Sequence, residues 1–274
     1  IMKIALQVLH KYLAMNSNWI YNQFINFSEF DYLIFANSIQ EPDKFPVENS
    51  KLYYFPKLAV GKLPLLKHIY RGIVYRLIIK SGLDNRYFYR IAKNKNIELI
   101  HAHFAFNGYK YIPLAKKLNV PLIVSFYGYD YDYLPKQNPQ WLEKYQQLFN
   151  FADAFICEGN FGKKKLIEKG CPKEKIYVNH LGVAVDKIPF KKRKWTSGKT
   201  LKFCQIASLN EKKGHQFTIK AFSKFTEEYS DAELTIVGNG PKQKELFGLI
   251  NELGIREKVK LKEFIPYNEL YSEL

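Results

Sequence analysis

Short apolar runs alternate with helical patterns along most of this chain, and that alternation constrains its fold more than any other feature. The strand-like runs of the first part lie at residues 3–9, 31–36, 51–55, 97–102, 121–126, 153–157 and about 175–179. Strands that are separated by helices form parallel sheets through right-handed crossovers. We therefore predict an α/β protein with mainly parallel sheets.

A second series of strands and helices begins near Thr200, with strand-like runs at residues 201–207, 232–237 and 259–261. The segment before it contains a proline, a basic block and a Ser-Gly pair, which is typical of a linker with a solvated charged face. We predict an N-terminal domain over residues 1–186, a basic linker over 187–199 and a second domain over 200–274. A chain of 274 residues suffices for two such domains, the second one small.

Two glycine-containing loops follow the first two strands of the second domain. One occupies residues 207–214 and the other residues 238–241. Ligands of open α/β sheets bind at the carboxyl ends of strands, where glycines allow close approach and helix N-termini present free N–H groups. Lys212 and Lys213 stand at a helix start, where the helix dipole disfavours them, and a phosphate partner would offset this. Either loop alone is weak evidence, but together they predict a nucleoside diphosphate site.

The two loops resemble those of family 4 glycosyltransferases of the GT-B fold, which carry a Gly-Arg-Leu-x-x-x-Lys-Gly type loop and then a strand ending in Gly-x-Gly-Pro. Residues 100–104 (IHAHF) and 121–130 (PLIVSFYGYD) resemble that family's His-x-His strand end and Phe-His-Gly-x-Asp type segment. Residues 170–176 and 180–183 resemble the close of its first domain. The resemblance implies two Rossmann-like domains, each with a parallel sheet.

For the donor phosphates, the resemblance implies contacts from Lys213, which matches the family's lysine before glycine. Ser208 stands where the family has arginine. Because a hydroxyl carries no charge, this exchange is expected to cost about 1–3 kcal/mol of charge-assisted binding, which Lys212 offsets in part. The backbone of Gly238, Asn239 and Gly240 is expected to complete this donor-phosphate site.

For the first domain, the resemblance implies a catalytic site formed by His103, Gly128 and Asp130. Tyr127 stands where the family more often has histidine, so a phenol or the main chain must supply what that imidazole does. From the residues alone, the favoured interpretation of His101 and His103 is that both are core or strand-capping histidines. Their spacing of two places both on one face of a strand.

The resemblance further implies a retaining glycosyltransferase of the hexosyltransferase kind that needs no metal. The donor would be a nucleotide-sugar, a substrate rather than a cofactor, and the acceptor a saccharide or lipid-linked saccharide in surface polysaccharide, lipopolysaccharide or glycolipid synthesis. The family's second domain normally continues through a segment with two glutamates. We find no such segment before Leu274, so we expect an incomplete second domain and a chain that is inactive alone.

The net charge of +16 favours anionic partners such as a membrane face, a lipid phosphate or a nucleic acid. Sequence-specific contacts to nucleic-acid bases are usually made by arginine, and lysine far outnumbers arginine here. We therefore expect an anionic membrane surface as a partner and no nucleic acid. The amphipathic run at residues 63–82 is interpreted either as packing against the sheet or as a membrane-surface helix. Widely spaced cysteines and the absence of a signal-like start favour a cytoplasmic protein, peripheral on the inner face of the cell membrane.

Other interpretations remain open at this point. A non-catalytic basic α/β module that binds nucleic acid or anionic membrane would explain the charge but not the glycine loops. A nucleotide-sugar epimerase of the GT-B fold is a second alternative. Asp130-Tyr131-Asp132 matches the D-x-D metal motif of another glycosyltransferase fold, but it lies in the first domain, away from the phosphate loops, and we predict no metal.

Overall fold

The computed structural model describes residues 3–13, 17–40, 42–54, 77, 81–183, 185, 188, 190, 192, 198–263 and 265. The chain divides into two compact units, Ile1–Val183 and Ala184–Leu274. Most of the amphipathic run at residues 63–82 and most of the predicted linker at 187–199 lie outside the described residues. The predicted domain boundaries therefore stay a prediction.

The described part of the first unit is built around a seven-stranded sheet in the order β3-β2-β1-β4-β5-β6-β7, with parallel pairing throughout. Its strands are β1 Lys3–Tyr12, β2 Phe30–Ile39, β3 Leu52–Tyr54, β4 Ile97–His103, β5 Leu122–Phe126, β6 Ala154–Cys157 and β7 Ile176–Val178. Its α-helices are α1 Asn18–Ile25, α2 Leu83–Ala92, α3 Ala105–Leu118, α4 Leu134–Gln137, α5 Gln140–Phe151 and α6 Asn160–Glu168. A π-helical turn, Tyr129–Tyr133, precedes α4.

The core of the first unit lies between the central strands and the helices that cover them. Fully buried aromatic rings fill this space, as shown by Phe35 and Phe88, which stack with centroids 4.5 Å apart. Gly108 lets α3 lie directly on β5, because a Cβ there would approach both Val124 methyl groups to 2.8 Å. This contact places the N-terminus of α3 at the carboxyl edge of the sheet.

The second unit has a smaller sheet with the same plan. The order of its described strands is β10-β9-β8, paired in parallel. Its elements are β8 Leu201–Ile206, α7 His215–Glu228, β9 Ala232–Val237, α8 Gln243–Glu252 and β10 Val259–Lys262. Leu234 and Ile236 of β9 pack against Ile219 of α7 and Ile250 of α8. The predicted α/β class with two parallel sheets is thus confirmed.

Among the described residues, none of the helices combines the length and the apolar character that a membrane span requires.

Candidate functional site

The carboxyl edge of the first sheet begins at a strained turn. Phe104 follows β4 directly and has φ 73° and ψ 145°, a conformation that costs a non-glycine residue about 1–3 kcal/mol. Its N–H donates to the carbonyl of Ser125 (2.9 Å), and its ring packs edge-on against Tyr127, with centroids 4.8 Å apart. Such strain clusters at functional sites, and here it turns the chain from β4 into α3.

His103 is fully buried at the end of β4, and both of its ring nitrogens have partners. Nε2 lies 3.0 Å from Gln7 Oε1, and Nδ1 lies 2.9 Å from the Tyr127 hydroxyl. Because Gln7 Oε1 only accepts, this arrangement assigns the proton to Nε2, and the phenol donates to Nδ1. Burial, with a smaller contribution from His101, lowers the pKa of His103 well below 6.5. His103 is therefore a neutral group that orients Tyr127.

His101 belongs to the same polar cluster. Its ring centroid lies 4.4 Å from that of His103, and its Nε2 lies 2.8 Å from Ser125 Oγ. Burial lowers the pKa of His101 to about 4. The expected placement of both histidines on one face of β4 is found.

Asp130 is also fully buried, and it joins two elements. Its Oδ1 accepts the N–H of Ala105 at the start of α3 (3.1 Å), and its Oδ2 accepts the N–H of Tyr127 (2.9 Å). Burial raises the pKa of Asp130 to about 8, although the two amide donors oppose this shift. Since both carboxyl oxygens are engaged with backbone amides, Asp130 is placed to hold the loop after β5 rather than to bind a metal.

Gly128 differs from the other two predicted catalytic residues. It is exposed, and a Cβ built on it would meet no described heavy atom within 4 Å. Gly128 therefore faces open space, whereas His103 and Asp130 lie beneath the surface. Their catalytic roles stay a prediction, and the geometry favours positioning roles for His103 and Asp130.

A cavity that the sequence motifs do not indicate opens beside this cluster, where β5, β6 and β7 end. Glu158 lines it directly after β6, opposite residues that include Tyr127, Asn179 and His180. Burial raises the pKa of Glu158 above its ordinary value. The position of Glu158 immediately after an apolar run was the available signal, because strand ends are where ligands of such sheets bind.

In the second unit, the two glycine loops contact each other through their backbones. The N–H of Leu209 donates to Asn239 O (2.9 Å), and the N–H of Lys242 donates to Leu209 O (3.1 Å). A Cβ at Gly238, where φ is 148°, would lie 2.1 Å from Ala207 O, and one at Gly240 would lie 2.3 Å from Leu209 O. The glycines are therefore required for the two loops to pack together.

The structure gives these glycines a different reason from the one that the sequence predicts. The sequence pattern predicts glycines that allow close approach to a phosphate, but the N–H of Gly238 already donates to Lys262 O (3.0 Å). Gly238 thus acts through its small size. Asn239 is exposed at the tip of the same loop. The phosphate contacts of Gly238, Asn239 and Gly240 stay a prediction.

Lys212 and Lys213 are exposed on a 3₁₀ turn, Glu211–Lys213, which leads through Gly214 into α7. Gly214 has φ 68° and is the left-handed residue before the helix. Among the described residues, neither lysine forms an ion pair, whereas the nearby Lys242 binds two glutamates. The two lysines are therefore available to an anion at this edge.

Ser208 lies on the same loop and is partly buried. Its Oγ accepts a hydrogen bond from Asn210 Nδ2 (2.9 Å), so its hydroxyl proton remains available to a ligand. No group of three or more histidine, cysteine or acidic residues is placed to hold a metal ion within the described ranges.

Both units present polar or glycine-rich loops at the carboxyl edge of a parallel sheet, and the solved glycosyltransferase structures that share this fold place the protein in the GT-B class. The family model for Glycosyltransferase Family 4 matches residues 45–187, and that for Glycosyl transferases group 1 matches residues 187–274. The chain belongs to glycosyltransferase family 4, as the resemblance of its loops implied.

Among curated relatives, the chain is 32% identical over 132 residues to WcaL of Escherichia coli K12, a glycosyltransferase assigned provisionally to colanic acid biosynthesis. It is 31% identical over 126 residues to AmsK of Erwinia amylovora, an amylovoran biosynthesis glycosyltransferase. These matches cover 48% and 46% of this chain, and 32% and 31% of the relatives. The matched part thus spans about a third of each relative's length.

Solved structures share the fold at low sequence identity. HepE of Anabaena, in complex with UDP and glucose, has a TM-score of 0.65 at 15% identity, and the match covers 98% of this chain and 71% of HepE. Sucrose-phosphate synthase from Thermosynechococcus elongatus has a TM-score of 0.66 at 13% identity, covering 99% and 72%. A UDP-N-acetylglucosamine 2-epimerase has a TM-score of 0.55 at 12% identity, covering 98% and 71%.

Proposed function

We propose that this chain forms the acceptor side and the phosphate loops of a retaining glycosyltransferase. It would move a sugar from a nucleotide-sugar donor to a saccharide or lipid-linked acceptor in surface polysaccharide or glycolipid synthesis. The observation that carries the proposal is the backbone contact between the two loops of the second unit, which joins the loop that carries Lys212 and Lys213 to the second glycine loop. The names of WcaL and AmsK support a role in polysaccharide synthesis.

The chemistry follows from the charge of the leaving group. As the bond between the sugar and the diphosphate loosens, negative charge gathers on the phosphate oxygens. We expect Lys213, the hydroxyl of Ser208 and the N-terminus of α7 to stabilise that charge. The HepE complexes contain UDP, UDP-glucose or UDP and glucose, which favours a UDP-linked donor for this chain.

The epimerase alternative needs the same nucleotide, so nucleotide binding alone does not separate the two activities. Family membership favours sugar transfer, because the two family models that match the chain describe glycosyltransferases. The separating measurement is the product. A transferase attaches the labelled sugar to an acceptor, whereas an epimerase returns an isomerised nucleotide-sugar.

The phosphate site is tested by calorimetry on the full-length protein with UDP, GDP and ADP. We expect one of these nucleotides to bind and the substitution Lys213→Ala to weaken its binding by about 1.5–3 kcal/mol, the value of a charged hydrogen bond. Lys220→Ala is the matched control, since Lys220 is also an exposed lysine but lies within α7. Equal binding by the Lys213 variant and the wild type would contradict the assignment.

A further inference from the structure

Across the part of the chain that the structure describes, no cationic side chain pairs with Glu158, although the protein is strongly basic. Other acidic side chains pair with lysines at short distance, such as Glu168 with Lys165 (2.9 Å) and Glu233 with Lys260 (2.7 Å). Within the described residues, Glu158 forms neither an ion pair nor a side-chain hydrogen bond, although the chain carries a net charge of +16.

The surroundings of Glu158 make this lack of a partner costly. The side chain is partly buried, burial raises its pKa, and its charge helps to raise the pKa of the nearby buried Asp130. A partly desolvated carboxylate that accepts too few hydrogen bonds loses free energy relative to water. A ligand that brings hydrogen-bond donors into the cavity would recover this loss.

The rest of the cavity wall combines polar groups with an aromatic ring. Asn179 and His180 are exposed at the end of β7 and add an amide and an imidazole. The Tyr127 ring forms an apolar part of the wall and is held rigidly, since its hydroxyl is bonded to His103 and its ring packs against Trp19 with centroids 4.4 Å apart. Pockets of this kind combine an aromatic surface with a few polar groups that fix orientation.

We propose that Glu158 determines acceptor specificity by accepting a hydrogen bond from a hydroxyl of the acceptor sugar and by repelling sugars that present a carboxylate there. This inference rests on the proposed function, in which the first unit binds the acceptor. The substrate class that it names is a neutral, hydroxyl-bearing sugar rather than a uronate. Repulsion follows because a second carboxylate beside Glu158 would be a like-charge contact in a partly desolvated site.

The experiment compares two probes that differ at one group, 4-nitrophenyl β-D-glucoside and 4-nitrophenyl β-D-glucuronide. Saturation-transfer NMR titrations on the full-length protein would measure both dissociation constants. We expect the wild type to bind the glucoside at least about tenfold more tightly, and Glu158→Gln to remove most of that preference, since glutamine keeps an acceptor oxygen but no charge. Glu143→Gln, at an exposed position of α5, should keep the wild-type preference.

Two further readouts keep the test decisive. The midpoint temperature of thermal unfolding of the Glu158→Gln variant should be equal to or higher than that of the wild type, because the substitution removes a carboxylate that has no partner among the described residues. The nucleotide titrations with Lys213→Ala report on the proposed function separately. The inference is wrong if the Glu158→Gln variant keeps the preference for the glucoside, if the wild type binds both probes equally well, or if the wild type binds neither probe. In each of these cases, nucleotide binding that depends on Lys213 would leave the proposed function standing.

Discussion

At the scale of single residues, burial decides what the first sheet's edge can do. His103 and Asp130 both carry chemistry that suits catalysis, yet both are fully buried and satisfied by partners within the unit. Burial disfavours the charged form of each group. It therefore lowers the pKa of His103, whose charged form is the protonated one, and raises the pKa of Asp130, whose charged form is the deprotonated one. Because these pKa values differ between the folded and the unfolded chain, the free energy of unfolding depends on pH.

We expect the free energy of unfolding to be highest near pH 6.5. Below that value, an unfolded chain protonates His101 and His103 while the folded chain keeps them neutral, so stability falls as the pH drops toward 4. Asp130 opposes this fall, since it stays protonated in the folded state and ionises near 3.9 when unfolded. Above pH 6.5 the effect of the two histidines fades and that of Asp130 dominates, so stability decreases up to about pH 8 by at most about 1.4 kcal/mol per pH unit.

The substitution Asp130→Asn isolates the second limb of this dependence. Urea unfolding between pH 6.5 and 8 should show a decreasing free energy of unfolding in the wild type and a nearly flat one in the variant. The variant is also expected to be less stable at pH 6.5, because an amide cannot accept from both backbone N–H groups. Parallel slopes for the two proteins would show that Asp130 ionises normally.

At the scale of elements, the second unit depends on the contact between its two loops. The loop after β8 and the loop after β9 exchange backbone hydrogen bonds through Leu209, Asn239 and Lys242, and glycines make that approach possible. Lys242 adds ion pairs to Glu211 (2.8 Å) and Glu245 (2.7 Å), which tie the first loop to the start of α8. A phosphate site built on such loops has little freedom to rearrange.

Adding a methyl group to this contact should disrupt it. We expect Gly238→Ala to lower the free energy of unfolding by at least about 2 kcal/mol, because its Cβ would overlap Ala207 O and its φ of 148° strains any side chain. Gly248→Ala in α8 is the control, since a Cβ there meets nothing within 4 Å and alanine favours the helix. Chemical unfolding of the full chain measures both. A Gly238 variant as stable as the control would mean that the loops lie further apart.

At the scale of the whole molecule, the net charge of +16 is the property that the fold leaves unexplained. An anionic membrane surface is the partner that we propose for it, with the enzyme peripheral on the cytoplasmic face, because lysine-rich proteins gain about 1 kcal/mol per basic residue near such a surface. The run at residues 63–82, which was interpreted as packing or as a membrane-surface helix, lies largely outside the described residues.

Vesicle sedimentation tests this proposal. The full-length protein should sediment with vesicles that contain phosphatidylglycerol and remain in solution with vesicles of pure phosphatidylcholine. Raising the salt to about 1 M should release the protein from the vesicles, since the Debye length then falls to about 3 Å. Sedimentation with both lipids, or binding that salt leaves unchanged, would contradict an electrostatic attachment. Binding to duplex DNA with a steep salt dependence would instead favour the nucleic-acid alternative.

The sequence by itself determined the class of fold and the positions of the loops. Apolar runs such as those at residues 97–102 and 232–237 are local patterns, and a strand that is buried on both faces must read as apolar whatever its neighbours are. The glycines at 238 and 240 likewise mark a loop directly after a strand. Local features of this kind depend on a few adjacent residues, and the sequence therefore contains them directly.

Only the tertiary structure decided which of the candidate residues face solvent. His103 is buried because Gln7, which lies 96 residues away in the chain, contacts it, and Glu158 lines a cavity because three separate strands end beside it. The reason for the glycines was also tertiary, since it is the opposing loop that leaves no room for a side chain. Burial, desolvation and cavity shape are sums over contacts between distant segments, and no local pattern in the sequence carries them.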